Sequence, residues 1–129
     1  MSSFTVGEIA ASLRSDPIGR MNIAFMAVAM RDPNPVHVED DFARQTGMPG
    51  VIAHGTFVLG YAGAMLTRAF GVAAVRRWRV DLTAPVFPGD VLDAEAVVQE
   101  VGAGELELTL AVRNQQGTVV GRGRATVRR

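Results

Sequence analysis

GTFVLGYAGAMLTRAF, residues 55–70, places its apolar side chains at helical spacing in one wide stripe. The stripe consists of Phe57, Val58, Tyr61, Ala62, Met65, Leu66, Ala69 and Phe70. Gly60, Gly63 and Ala64 keep another part of the same segment slim. A stripe this wide predicts a helix that is buried against other elements of the fold.

After this helix, apolar and polar residues alternate with a period of two. The alternating segments are residues 77–84, 92–99, 105–112 and 118–128. Turn-forming sequences separate the later segments, namely Phe87-Pro88-Gly89-Asp90, Gly102-Ala103-Gly104 and Asn114-Gln115-Gln116-Gly117. The pattern predicts four half-buried antiparallel strands.

Before residue 55 the chain is mainly helical. Residues 20–30 carry apolar side chains at three- and four-residue spacing, and two prolines at 33 and 35 end this helix. The sequence predicts a second, short helix over about residues 38–45, with acids in its first turn. With one early strand in the lead segment 5–13, we expect an α+β fold, in which an antiparallel sheet wraps around one long helix. We expect it to be a single domain covering residues 1–129.

The composition excludes several classes of function. Thirteen Lys+Arg balance thirteen Asp+Glu, so no overall charge attracts nucleic acid or an anionic membrane. There is no cysteine and every basic residue is arginine, which excludes thiolate chemistry and lysine Schiff bases. No apolar run reaches the ~20 residues of a membrane span, and the N-terminus does not resemble a signal peptide. We expect a cytoplasmic protein.

The first candidate site is the turn Asp32-Pro33-Asn34-Pro35-Val36-His37. A carboxylate and an imidazole five residues apart, held by two prolines, can converge on one water and share its protons, and Asn34 could orient either group. The alternative is an ordinary turn, because Asp and Asn are common turn formers. The composition of this segment alone favours the turn.

The second candidate site is Pro49-Gly50-Val51-Ile52-Ala53-His54-Gly55, where the buried helix begins. Gly55 would expose backbone N–H groups at the positive end of the helix, which can hold a polarised carbonyl oxygen. Alternatively, Gly55 is there because only bare backbone fits, and His54 is a hydrogen-bonded core histidine. For His54 the core interpretation is favoured.

Together the two segments resemble the signature of the MaoC-like hydratases and dehydratases. The shared pattern is Asp-x-Asn-Pro-x-His, a short acidic helix, and Gly-x-Pro-x-x-x-x-His-Gly at the start of a long helix. It extends from about Arg20 to the end of the chain and includes the Phe-Pro-Gly-Asp turn. The resemblance implies a hotdog fold in which Asp32 and His37 hold the catalytic water. It further implies that Asn34, His54 and Gly55 serve substrate binding, with Asn34 supporting the turn and the Gly55 N–H polarising a thioester carbonyl.

The implied reaction is reversible syn addition of water to a trans-2-enoyl thioester, which gives the (R)-3-hydroxyacyl thioester. The acyl group would be carried on coenzyme A or on the phosphopantetheine of an acyl carrier protein, and no metal or other cofactor is expected. We expect a homodimer or higher oligomer, and a heteromer is compatible with the resemblance. Two alternatives stay open: a hotdog subunit that depends on a catalytic partner, and a hotdog acyl-CoA thioesterase.

Two further features bear on the site. The family usually has a small residue and glycine before the catalytic aspartate, whereas this chain has Met30-Arg31, so an ion pair between Arg31 and Asp32 is possible. Arg76, Arg77 and Arg79 fit a solvated strand face, or alternatively a phosphate clamp for coenzyme A or phosphopantetheine. Trp78 between them is expected in the core or at an interface.

Overall fold

A computed structural model describes residues 3–129 as five strands and three α-helices. The elements are β1 (Ile9–Arg14), α1 (Arg20–Ala29), α2 (Asp40–Gln45), α3 (Thr56–Phe70), β2 (Val75–Leu82), β3 (Asp93–Val101), β4 (Glu105–Arg113) and β5 (Val119–Arg128). Two short 3₁₀ turns, Pro35–His37 and Val72–Ala74, complete the path. No helix in residues 3–129 combines the length and apolar character that a membrane crossing requires.

The strands form one antiparallel sheet in the order β1-β3-β4-β5-β2, so β1 and β2 are its edges. The alternation predicted from the sequence is seen most clearly in β4. There Leu106, Leu108, Leu110 and Val112 are buried while the residues between them are more exposed. The predicted α+β hotdog architecture, a sheet wrapped around one long helix, is confirmed.

The long helix α3 packs its apolar stripe into the core. Phe57, Val58, Ala62, Met65 and Leu66 are buried, and all belong to the predicted stripe. Trp78 of β2 packs against Gly63 on the slim side of the helix. A Cβ at residue 63 would lie only 3.2 Å from the indole ring. A glycine at residue 63 therefore allows the edge strand to approach the helix closely.

The two earlier helices differ slightly from their predicted bounds. Helix α1 ends at Ala29, with Met30 as its C-cap, and of its predicted apolar positions Ile23 is fully buried while Met30 is half exposed. Helix α2 begins at Asp40 rather than at Val38, because the 3₁₀ turn started by Pro35 occupies the preceding residues. His37 is the last residue of this turn.

Candidate active site

The turn after α1 holds Asp32 through backbone contacts. The Asp32 N–H donates to the Ala27 carbonyl at 2.9 Å, and its carboxylate Oδ1 accepts from the Asn34 N–H at 3.3 Å. The Asn34 side chain in turn accepts from the Val36 N–H at 3.1 Å. Asn34 thus caps the 3₁₀ turn, and its exposed side chain lies outside the lining of the cavity that contains Asp32 and His37.

Arg31 adopts the left-handed conformation, with φ of 51°, and it is the only residue other than glycine with positive φ within residues 3–129. This conformation favours glycine, since an L side chain is strained there. The turn is therefore built without the family's usual glycine. No ion pair joins Arg31 to Asp32 in this part of the chain, so the pairing that the sequence allowed is not formed. Arg31 instead lines the cavity beside Asp32.

His37 is fixed from the opposite side of its ring. Its Nδ1 donates to the Ile52 carbonyl at 2.7 Å, and the Ile52 N–H donates back to the Val36 carbonyl at 3.1 Å. Because a carbonyl can only accept, Nδ1 carries the proton and Nε2 is left to face the carboxylate of Asp32 at 3.6 Å. The two predicted acid/base residues are therefore brought together.

His54 stacks on His37, with ring centroids 3.7 Å apart and an interplanar angle of 21°. Its Nε2 lies 3.8 Å from Asp32 Oδ2. The side chain is buried, as the core interpretation required, but neither ring nitrogen has a hydrogen-bond partner within residues 3–129. Burial, and then the neighbouring His37, lower the pKa of His54, and the Asp32 charge opposes this only in part. His54 is therefore a neutral imidazole at neutral pH.

Asp32, His37 and His54 also have the spacing of a metal site, since one ligand atom of each lies within 4.8 Å of the others. The geometry of the rings does not fit such a site. Two histidines of a tetrahedral site point their lone pairs at the metal from different directions, whereas these two rings are nearly parallel. The arrangement suits a shared water or proton better than a cation.

Gly55 is the N-cap of α3 and has ordinary helical torsion angles, so its backbone conformation does not require glycine. A Cβ at residue 55 would lie 2.2 Å from Leu82 Cδ1, so the glycine provides room for β2. The Gly55 N–H donates to no backbone oxygen in residues 3–129. It therefore has no backbone partner there, at the positive end of the helix, and its role in substrate binding stays a prediction.

These groups open into one cavity of about 470 Å³. It is lined by Met30, Arg31, Asp32, His37, His54, Gly55, Thr56, Leu59 and Leu82. A second, more apolar groove of about 380 Å³ runs along α3 towards Trp78 and shares Thr56 and Leu59 with the cavity. Thr56, Leu59 and Leu82 line the cavity but were not predicted from the sequence. Thr56 and Leu59 are marked in the sequence only by their closeness to Gly55, and nothing in the sequence marks Leu82.

The arginines beside Trp78 lie on or near the solvated face of the sheet. Arg77 Nε donates to Thr126 Oγ1 at 3.2 Å, Arg79 pairs with Asp81 at 3.1 Å, and Arg76 Nε lies 3.9 Å from a carboxylate oxygen of Glu105. These contacts agree with a solvated strand face. Trp78 packs against Gly63 and stays 40% exposed at the sheet edge.

Comparison with known proteins agrees with this geometry. Residues 5–120 match the family model described as MaoC like domain. The chain is 33% identical over 113 residues to the (R)-specific enoyl-CoA hydratase of Rhodospirillum rubrum, a match that covers 85% of this chain and 78% of the relative.

Solved structures show the same fold. The (R)-hydratase from A. caviae involved in PHA biosynthesis superposes with a TM-score of 0.85 at 26% identity, covering 99% of this chain and 98% of that one. The ChsH1-ChsH2 complex from Mycobacterium tuberculosis gives a TM-score of 0.82 at 20% identity, with 98% of each chain covered, and supports the fold alone. The family match and the hydratase relative together show that this chain belongs to the MaoC-like domain family.

Proposed function

We propose that this protein is an (R)-specific hydratase/dehydratase that adds water to, or removes it from, the 2,3 double bond of a trans-2-enoyl thioester. One observation carries the proposal: Asp32 Oδ2 and His37 Nε2 face each other at 3.6 Å on a cavity that the start of α3 also lines. The relative from Rhodospirillum rubrum carries the name of this activity.

We infer a role for each group from its position. A water hydrogen-bonded to both Asp32 and His37 from the cavity side gives up a proton as its oxygen bonds to C3, and C2 then receives a proton through the same pair. The Gly55 N–H holds the thioester oxygen on which negative charge develops in between. Because His37 Nδ1–H is committed to Ile52, its Nε2 is the atom that exchanges protons with the water. One water on one face of the alkene gives syn addition.

The proposal also covers the acyl carrier, the need for a cofactor, the oligomeric state and the location. The acyl group would be carried on coenzyme A or on a carrier protein's phosphopantetheine, and the reaction needs no further cofactor because the thioester already acidifies C2. The active form would be a homodimer, a larger homo-oligomer or a heteromer. A cytoplasmic location stays a prediction from the sequence.

The proposal is tested by assaying purified protein with short, long and steroid enoyl-CoAs. Asp32→Asn and His37→Asn should each lower the hydration rate by at least ~10²-fold, since each removes a proton-transfer group. The double variant should lose little more, because both groups act on one water. Asp41→Asn is the matched control, since this carboxylate is 96% exposed and pairs with Arg44 at the surface.

Stereochemistry distinguishes the proposed enzyme from its alternatives. Hydration of crotonyl-CoA should give a product that an (S)-specific 3-hydroxyacyl-CoA dehydrogenase does not oxidise. Rapid oxidation of the product would contradict the (R) assignment, and release of free thiol without hydration would identify a thioesterase. Normal rates in Asp32→Asn or His37→Asn, at unchanged Tm, would remove these residues from the mechanism.

A further inference from the structure

Three buried side-chain atoms in residues 3–129 have no hydrogen-bond partner, and all belong to the short segment that enters α3. They are Nδ1 and Nε2 of His54 and Oγ1 of Thr56. Buried polar atoms are normally paired, and an unpaired one carries a free-energy penalty. Their concentration beside one cavity indicates that a bound molecule supplies the missing partner.

His54 and Thr56 differ in whether another contact accounts for the burial of their polar atoms. His54 stacks on His37 and supports it through ring contact. Thr56 has no comparable role. Two other threonines donate to the carbonyl three residues earlier, Thr46 at the end of α2 to Ala43 and Thr67 within α3 to Ala64. Thr56 is the first residue of α3, so no preceding helical turn offers it a carbonyl.

The position of Thr56 indicates which atom it meets. It lines both the catalytic cavity and the apolar groove along α3, so it lies where the two join. Because the carbonyl carbon of an enoyl thioester is bonded directly to C2, a substrate whose reacting carbons lie beside Asp32 has its carbonyl oxygen in the same cavity, where Thr56 lines the start of α3. The neighbouring Gly55 N–H points to the same function.

We propose that the Thr56 hydroxyl donates a hydrogen bond to the thioester carbonyl oxygen, alongside the Gly55 N–H. This inference rests on the proposed function and adds a second donor to it. The hydroxyl keeps its proton throughout and stabilises the negative charge that the oxygen carries after water attacks C3. Two donors fixed before substrate arrives need little reorganisation during the reaction, which is what makes such sites effective.

Thr56→Val tests the inference, because valine has the same shape without the hydroxyl. We expect kcat to fall by roughly 10²-fold, with a smaller change in KM, and Thr56→Ser to recover most of the loss. The Tm of Thr56→Val should equal or exceed that of the native protein, since a methyl group replaces an unpaired hydroxyl. Thr109→Val is the matched control, because that hydroxyl bonds Gln99 at an exposed position and its loss should leave the rate unchanged.

A spectroscopic measurement separates polarisation from positioning. In the Asp32→Asn background, a bound enoyl thioester should show a red-shifted ultraviolet absorption, and adding Thr56→Val should reduce that shift. A native rate in Thr56→Val, or a serine variant as slow as valine, would overturn the inference while hydration by the native protein stands. If the native protein hydrates no enoyl thioester, the proposed function fails and the inference fails with it.

Discussion

The tautomer of His37 is set by a single backbone carbonyl. The bond from Nδ1 to Ile52 fixes both the proton and the ring plane, so Nε2, the proposed catalytic nitrogen, faces Asp32 before any substrate binds. The prolines at 33 and 35 contribute by restricting the turn between the two groups. Asp32 Oδ1 and His37 Nδ1 are both held by hydrogen bonds, so Asp32 Oδ2 and His37 Nε2 stay facing each other.

His54 gives this site a measurable dependence of stability on pH. Its pKa is lowered in the folded state, while the unfolded chain has the ordinary value of 6.5. The folded protein therefore binds fewer protons than the unfolded chain as the pH falls below 6.5. Stability is complete above that value and is lost as the pH falls towards the folded pKa. We expect the Tm to drop as the pH falls from neutral to below 6.5.

His54→Phe is the variant that isolates this effect, since it keeps a flat ring against His37 but cannot titrate. Its Tm should change less over the same pH range than that of the native protein. The lowered pKa of Asp40 does not interfere, because its contribution is lost only below the ordinary value of 3.8. Parallel pH profiles of Tm in the two proteins, followed by circular dichroism, would show that His54 is not the source.

Whole elements were predictable where a repeated pattern marks them. The stripe in residues 55–70 and the alternation in β4 depend only on local periodicity, so their types followed from the sequence. Helix boundaries shifted where a 3₁₀ turn or a cap intervened, as at Val38. Leu82 could not be placed at the site, because its contact with residue 55 arises from the packing of β2 on α3.

Asp40 joins three elements and supports the loop that carries His54. Its carboxylate accepts from Arg20 at the start of α1 at 3.0 Å and from the Val51 N–H at 2.9 Å. The bond from Val51 and the ion pair with Arg20 lower the pKa of Asp40. Gly50 leaves room for this contact, since a Cβ there would lie 2.9 Å from Asp40 Oδ1.

We expect Asp40→Ala to lower the Tm by several degrees and Asp40→Asn to lower it less, because asparagine can still accept from Val51. Asp40→Asn and Arg20→Gln should lose less together than the sum of their separate losses, because they share one ion pair. Thermal unfolding of the four proteins in this cycle measures the coupling. Additive changes in Tm would mean that the pair does not link α1 to α2.

At the scale of the whole molecule, the site combines segments that are distant in sequence. Asp32, His37 and Gly55 could be predicted as site residues because they belong to two dense motifs. The sequence does not indicate that Arg31 takes a left-handed conformation or that the Thr56 hydroxyl is buried without a partner within residues 3–129. Both facts depend on how the turn after α1 packs against the start of α3.

The exposed edge strand beside the site predicts that the protein associates with a second copy of itself. Strand β2 is an edge of the sheet, and its Trp78 and Leu82 are 40% and 52% exposed. These same side chains line the apolar groove and the catalytic cavity, respectively. A second protomer placed against this edge would pair its free backbone groups and also close the space in which an acyl chain binds.

We therefore expect at least a dimer, measured by light scattering coupled to size-exclusion chromatography at micromolar concentration. Hydration activity per protomer should fall on dilution at the same concentration at which the dimer dissociates, because an open groove exposes the acyl chain to water. Association with a different chain would give the same dependence only when that chain is added, which distinguishes a heteromer. A monomer that keeps full activity per protomer through the dilution series would show that one chain encloses its substrate without a partner.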